Sequence, residues 1–127
     1  MNFLQDKKDE IYALGRIVFG FLFMLHGLIK LVGGNPGMPE AAFWIAALVE
    51  TIGGAMIMVG LMGQMAAFVS SGLMAVAFFW MHFELSAALF TENPLLNNGE
   101  PAVLYCFAFL VIAANGSGIW SIDSKRE

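Results

Sequence analysis

Cysteine is nearly absent: one residue, Cys106, in a chain of 127. An internal disulfide and a dithiol redox pair within the chain are both excluded, and Cys106 reads as a small apolar residue of a helix. Basic residues are scarce too. Six Lys and Arg stand against ten Asp and Glu, too few for the basic patch that a phosphate backbone requires, so nucleic acid is not a partner. Charged residues of both signs make up only 13% of the chain, against about 25% in an ordinary soluble domain. In their place is a hydrophobic fraction of 59%. The length allows one domain, and a globule of that size leaves much of its surface outside its core. Part of this apolar surface therefore faces lipid rather than water.

What is present is a set of long apolar stretches, at residues 11–32, 41–62, 65–90 and 101–114. Each comes near the ~20 residues that cross a bilayer. The breaks between them carry turn chemistry: Gly33-Gly34-Asn35-Pro36-Gly37-Met38-Pro39, a tight reversal at Gly63-Gln64, and a loop over 91–99 with Asn93-Pro94 and Asn97-Asn98-Gly99. Pro101 suits a first helical turn, and Asn115-Gly116-Ser117-Gly118 stops the last helix. The pattern predicts an all-α fold, one integral membrane four-helix bundle over residues 1–127. The first stretch is too long for a signal peptide and no small-residue cleavage pattern follows it, so it is expected to persist in the mature protein.

Orientation follows from the basic residues. Lys7, Lys8 and Arg16 lie at the start of the first helix and Lys125 and Arg126 follow the fourth, whereas the loops at 33–40 and 91–100 hold no Lys or Arg and carry Glu40, Glu92 and Glu100. The positive-inside rule then puts both termini in the cytoplasm.

Ionisable side chains at helix depth cost about 2.5–3.5 kcal/mol each on insertion scales, which makes each a candidate for function. Here they are Arg16, His26, Lys30, Glu50, His82 and Glu84, with Glu100 at the mouth of the fourth helix. At 1.5 Å per residue, His26 lies about 22 Å up the first helix, His82 about 25 Å up the third, and Glu50 about 13 Å down the second. These depths converge on the outer half of the bundle, with Lys30, Glu84 and Glu100 near its rim and Arg16 left near the cytoplasmic side. Helical phase agrees. Arg16, Gly20, Phe23, Gly27 and Lys30 form one stripe bordered by His26; Ala46, Glu50, Gly53 and Gly54 share a face, as do Ala67, Ser71, Ala75 and His82. Small residues allow membrane helices to approach closely, so Glu50 and His82 are expected to point into the bundle, and Glu84 outward.

Such a cluster serves either as a network that fixes helix packing or as a small polar pocket open to the outside. The surplus of titratable groups at one end favours the pocket. Two His could ligate haem iron or a metal, but no haem motif accompanies them and no metal site is expected. A quinone head group would find donors in His26, Lys30 and His82 and a proton acceptor in Glu50, with Phe23, Phe43, Trp44, Phe79 and Trp80 as candidate ring neighbours. A small sulfur anion would find positive charge in Lys30 and the His pair.

Gly15-Arg16-Ile17 with Gly20 and Phe23, continued by His26-Gly27-Leu28-Ile29-Lys30-Leu31, resembles the first helix of DoxX-family membrane proteins. Glu50-Thr51-Ile52-Gly53-Gly54 with Gly60-Leu61 is similar to the family's second helix, and Ala66-Ala67, Met74, Ala77 and His82 to its third. Glu100 and the terminal Ser121-Ile122-Asp123 complete the match, which runs from Leu14 to Asp123. Two departures lie at the cytoplasmic end: Gln64 where the family usually has Arg or Lys, and Gly116-Ser117-Gly118-Ile119 where it often has Gly-Pro-Gly-Arg. The resemblance implies a multi-pass protein of the bacterial cytoplasmic (inner) membrane, of the DoxX and thiosulfate:quinone oxidoreductase-like group, tied to respiratory or sulfur redox chemistry.

The expectation that combines these readings is a redox-associated membrane subunit. His26, Lys30, Glu50, His82 and Glu100 bind the ligand, Arg16 is a structural polar residue, quinone is the favoured cofactor and haem is disfavoured. No redox centre is encoded, so a partner or bound cofactor supplies electrons. Lipid surrounds the bundle, and other membrane subunits or further copies of the chain are expected beside it. The rivals are a non-catalytic accessory subunit of a larger complex and a small transporter, the latter weakened by the lack of inverted repeats or broken helices.

Overall fold

The computed structural model describes residues 2–35, 37–79 and 100–126, which are helical and contain no strand. A short helix, α1 (Asn2–Asp6), precedes α2 (Lys8–Gly33). A second rod follows as α3 (Glu40–Leu48), a π-helical turn (Val49–Gly53) and α4 (Gly54–Val59). Then come α5 (Gly63–Ala77), α6 (Glu100–Asn115) and the single turn α7 (Ile122–Lys125). The expected stretch 80–90, with Trp80, His82 and Glu84, and the loop 91–99 with Glu92 lie outside the described residues.

α2 buries Ala13, Arg16, Gly20, Phe23 and Gly27, a stripe at alternating steps of three and four that puts one face against the rest of the molecule. Its contact with α4 is backbone on backbone. A Cβ added to Gly20 would lie 2.5 Å from the Met58 amide nitrogen, and one on Gly54 would lie 2.5 Å from that of Met24. Only two glycines permit this approach, since any side chain would hold the helices apart. Ser70 of α5 lies against Gly53 of the second rod. α5 and α6 pack together: Ala66, Ala67 and Met74 of α5 share one core with Ala102, Tyr105, Phe109 and Ile112 of α6. Across that interface the Ser71 hydroxyl donates to the Cys106 carbonyl at 2.7 Å. Phe23 and Ile57 close the core between the two pairs.

The reversal between the second and third helices differs from expectation. The turn falls at residues 60–62, and Gly63 and Gln64 already belong to α5. Gly60 ends α4 in the left-handed region at φ 72° and Met62 follows at φ 49°. α5 can begin this early because the Asp123 carboxylate, from the far end of the chain, accepts hydrogen bonds from the N–H groups of Met62 (2.8 Å) and Gly63 (2.9 Å). A helix start capped by a distant residue leaves no local signal.

Outside the core the helices remain apolar: Ile29, Phe68 and Phe107 are 68%, 65% and 61% exposed. Lys8–Gly33 and Glu40–Val59 are long and apolar enough to cross a membrane, while Gly63–Ala77 and Glu100–Asn115 are shorter apolar helices within the described residues.

The Gly20–Gly54 contact makes a testable contrast. Gly20→Ala and Gly54→Ala each drive a methyl into facing backbone, an overpacking cost of about 1–3 kcal/mol. Gly72→Ala enters space with nothing within 4 Å and gains helix propensity. Thermal unfolding in mild detergent should show lower midpoints for the first two and none for the third; equal effects at all three positions would remove the close contact from the account.

Candidate functional site

Two polar centres sit at opposite ends of the α2 stripe. At one end the Lys30 ammonium donates to Glu50 Oε2 at 2.7 Å, with the Lys30 side chain 23% and the Glu50 side chain 6% exposed. Lys30 lies in the last turn of α2, and Glu50 opens the π-helical turn between α3 and α4. Such turns insert one extra residue into a helix and occur often at functional sites. Glu50, within this turn, is buried and bonded to Lys30 of α2, and Gly53 and Gly54 that follow it are buried as well.

His26 is one turn before Lys30 and lies exposed at the border of the stripe. Its ring meets Tyr105 of α6 edge-on, with centroids 5.6 Å apart. Tyr105 in turn stacks on Phe109 at 5.5 Å and leans on Phe23 at 5.3 Å. The structure thus brings Lys30 onto Glu50, and His26 onto an aromatic cluster on the same side of α2. Glu100 opens α6, is exposed, and makes no hydrogen bond or ion pair among the described residues. His82 lies outside them. Of the other candidate ring neighbours, Phe43 is buried with Trp44 edge-on at 5.4 Å, Trp44 and Phe79 are exposed, and Trp80 is outside the described residues.

At the other end Arg16 is 1% exposed and is neutralised by carbonyl dipoles. One terminal nitrogen donates to the Ser117 carbonyl and to that of Ile119 at 2.9 Å; the other donates to Trp120 at 2.8 Å and to Met58 at 3.4 Å. The Tyr12 phenol donates to the Gly116 carbonyl at 2.5 Å. The same loop is tied to α5 through Asp123, which also accepts from the Ser117 hydroxyl at 2.7 Å. Gln64, at the family's usual basic position, donates to the Ala113 carbonyl at 3.2 Å. An open cleft of about 860 Å³ borders this knot, with Tyr12, Gln64, Asn115, Ser117 and Asp123 in its walls. His26, Lys30 and Glu50 are not among its lining residues. Arg16, Tyr12, Ser117 and Asp123 spend their hydrogen bonds on holding the chain's ends together, so this centre is built to fasten rather than to react.

The protein-family model for DoxX matches residues 11–83. The chain belongs to the DoxX family. DoxX proteins are membrane-associated, in accord with the two spans of sufficient length. A protein of Haemophilus influenzae described as uncharacterized is 33% identical, over 98% of this chain and 97% of its own. A Bacillus subtilis protein named "Putative oxidoreductase CatD" is 27% identical, over 93% of this chain and 89% of its own. No solved structure matches this DoxX chain.

Two residues that the sequence reading did not weigh as site residues matter here. Tyr105 had a signal: Ala102, Tyr105, Phe109 and Ile112 recur at helical spacing and form the buried face of α6, and a phenol on such a face needs a reason. Asp123 had none beyond the family's terminal pattern.

The ion pair predicts non-additive mutants. Lys30→Met leaves the Glu50 charge buried without a partner, a loss toward the low end of about 3–5 kcal/mol because Lys30 is partly exposed. The double variant Lys30→Met, Glu50→Leu should recover much of it. A double variant no more stable than the single one, measured by thermal unfolding in detergent, would argue against a neutralising pair.

Asp123 predicts a pH dependence. The Gly63 N–H, with Ser117, Met62 and nearby Arg126, lowers its pKa below the ordinary carboxylate value, while burial opposes the shift. A lowered folded pKa means that the stabilisation is complete above the unfolded value and disappears as pH falls through the folded one. Asp123→Ala should therefore cost about 1 kcal/mol at neutral pH, the usual worth of such a cap, and nothing in strong acid. A penalty that does not change with pH would count against the carboxylate as cap.

Proposed function

We propose that the chain is a redox-associated membrane protein whose Lys30–Glu50 end holds the head group of a quinone or a small sulfur compound. The observation that carries this reading is the ion pair itself: a carboxylate and an ammonium 2.7 Å apart, set among apolar helices where each charge is costly and next to a cluster of aromatic rings. DoxX membership and the oxidoreductase name of the Bacillus subtilis relative support the redox association.

In this reading α2, the α3–α4 rod, the helix that begins with α5, and α6 form a four-helix bundle in the bacterial cytoplasmic membrane. Both termini are cytoplasmic, and the Lys30–Glu50 end faces outward. His26, Lys30 and His82 donate hydrogen bonds to the head group, Glu50 exchanges protons with it, and Glu100 lies at the rim. Electrons come from another membrane subunit, because the chain's own residues include no cysteine pair.

A second reading has one observation in its favour. Lys30 and Glu50 satisfy each other, as they would in an accessory subunit whose polar contacts only fix packing. Purification in mild detergent separates the two. Solvent extraction should recover about one quinone per chain. Extracts without quinone, from protein that elutes tightly bound to larger membrane subunits, would favour the accessory role.

A further inference from the structure

Ser70 is fully buried in α5, and its Oγ has no hydrogen-bond partner. A serine inside a helix can return its hydroxyl to the carbonyl one turn back, and the neighbouring Ser71 donates across to the Cys106 carbonyl at 2.7 Å. Ser70 does neither. Alanine would pack there without the cost of burying an unpaired hydroxyl. The hydroxyl is turned toward the π-helical turn: a Cβ added to Gly53 would lie 2.9 Å from Ser70 Oγ.

Gly53 and Ser70 both line a cavity of about 230 Å³ between the second rod and α5, and the rest of its wall is apolar side chains with no charge among them. An apolar cavity of about 150 Å³ takes up a benzene ring, so this one has room for a single substituted ring. Ile52 and Val69 in its wall are 55% and 51% exposed, so it opens on the apolar flank of the helices, where lipid lies. An acyl chain would suit the walls and still leave the hydroxyl unpaired.

We infer that this cavity is a second ligand site, for a neutral, ring-sized molecule that enters from the bilayer and pairs one oxygen with the Ser70 hydroxyl. Apolar walls with a single placed polar group, which sets orientation, are the usual make-up of a small-molecule site. A charge would go unmatched there, so ions are not its ligands. The site shares no residue with the Lys30–Glu50 pair and stands or falls apart from the function proposed for that end. It does lie on the same π-helical turn, where Val49, Ile52 and Gly53 line the cavity and Glu50 bonds to Lys30.

The test uses the full chain in lipid nanodiscs and two probes of nearly equal shape, para-fluorophenol and para-fluorotoluene, each followed by fluorine NMR. Only the phenol can pair with the serine. Wild-type protein should bind both saturably, and should prefer the phenol once each affinity is corrected for partition into protein-free nanodiscs. Ser70→Ala should weaken the phenol about fivefold to tenfold, the worth of one hydrogen bond. It should leave the toluene and the unfolding midpoint unchanged. Val69→Phe adds bulk at an exposed edge of the cavity and should abolish binding of both. A phenol held equally well by Ser70→Ala, or both probes weakened alike, would overturn the role of the hydroxyl. Binding undiminished by Val69→Phe would put the probes elsewhere, and wild-type signals that never saturate would mean no site; either result overturns the proposal. Should a variant fail to fold, the wild-type preference decides: no preference for the phenol means no bond to Ser70.

Discussion

Where α2 crosses α4, the two backbones touch at Gly20 and Gly54, and Gly27 brings α2 equally close to the backbone of Thr51 beside Glu50. Apolar helices in lipid gain little from hiding from their solvent, and close packing of small residues supplies the attraction instead. With the rods at this separation, Lys30 in the last turn of α2 can reach Glu50, and Arg16 about four turns earlier can reach the Met58 carbonyl. A wider spacing would leave both cations without these partners. Gly20 lies about one turn from Arg16, Gly27 about one turn from Lys30 and Gly54 about one turn from Glu50, so each close contact sits beside a charge.

The two ends neutralise charge by different means. Arg16 is surrounded by carbonyl oxygens of a loop that the chain folds around it. These dipoles carry no protons to exchange, which suits a fastening. Lys30 faces a side-chain carboxylate instead, 2.7 Å away. In the function proposed above the ligand is therefore placed at the Lys30–Glu50 end, where the buried Glu50 belongs to the π-helical turn.

Much of this was legible in the sequence. The buried stripe Arg16, Gly20, Phe23 and Gly27 follows from spacing alone, and the face of Ala46, Glu50, Gly53 and Gly54 is buried as the phase implied. That face runs through the π-helical turn, which no local pattern announced; an inserted turn depends on tertiary packing rather than on propensity. The same limit moved the reversal from Gly63-Gln64 to residues 60–62, because its cap comes from Asp123. Arg16 was read as structural, but its partners are backbone carbonyls, and a carbonyl carries no residue identity to read. The place of Tyr105 on the buried face of α6 is implied by period, but an uncharged ring carries no insertion cost that would single it out.

The carbonyls of residues 117, 119 and 120 lie 101 to 104 residues beyond Arg16 in the chain. During synthesis the first helix therefore leaves the ribosome long before those partners exist. Until the last segment is made, the guanidinium has the Met58 carbonyl and the lipid head groups to turn to, as long cationic side chains do near a bilayer surface. It follows that a nascent product cut short before residue 117 lacks three of the four carbonyls that surround Arg16 in the finished protein, and has at most Met58 to accept from a cation in the bilayer.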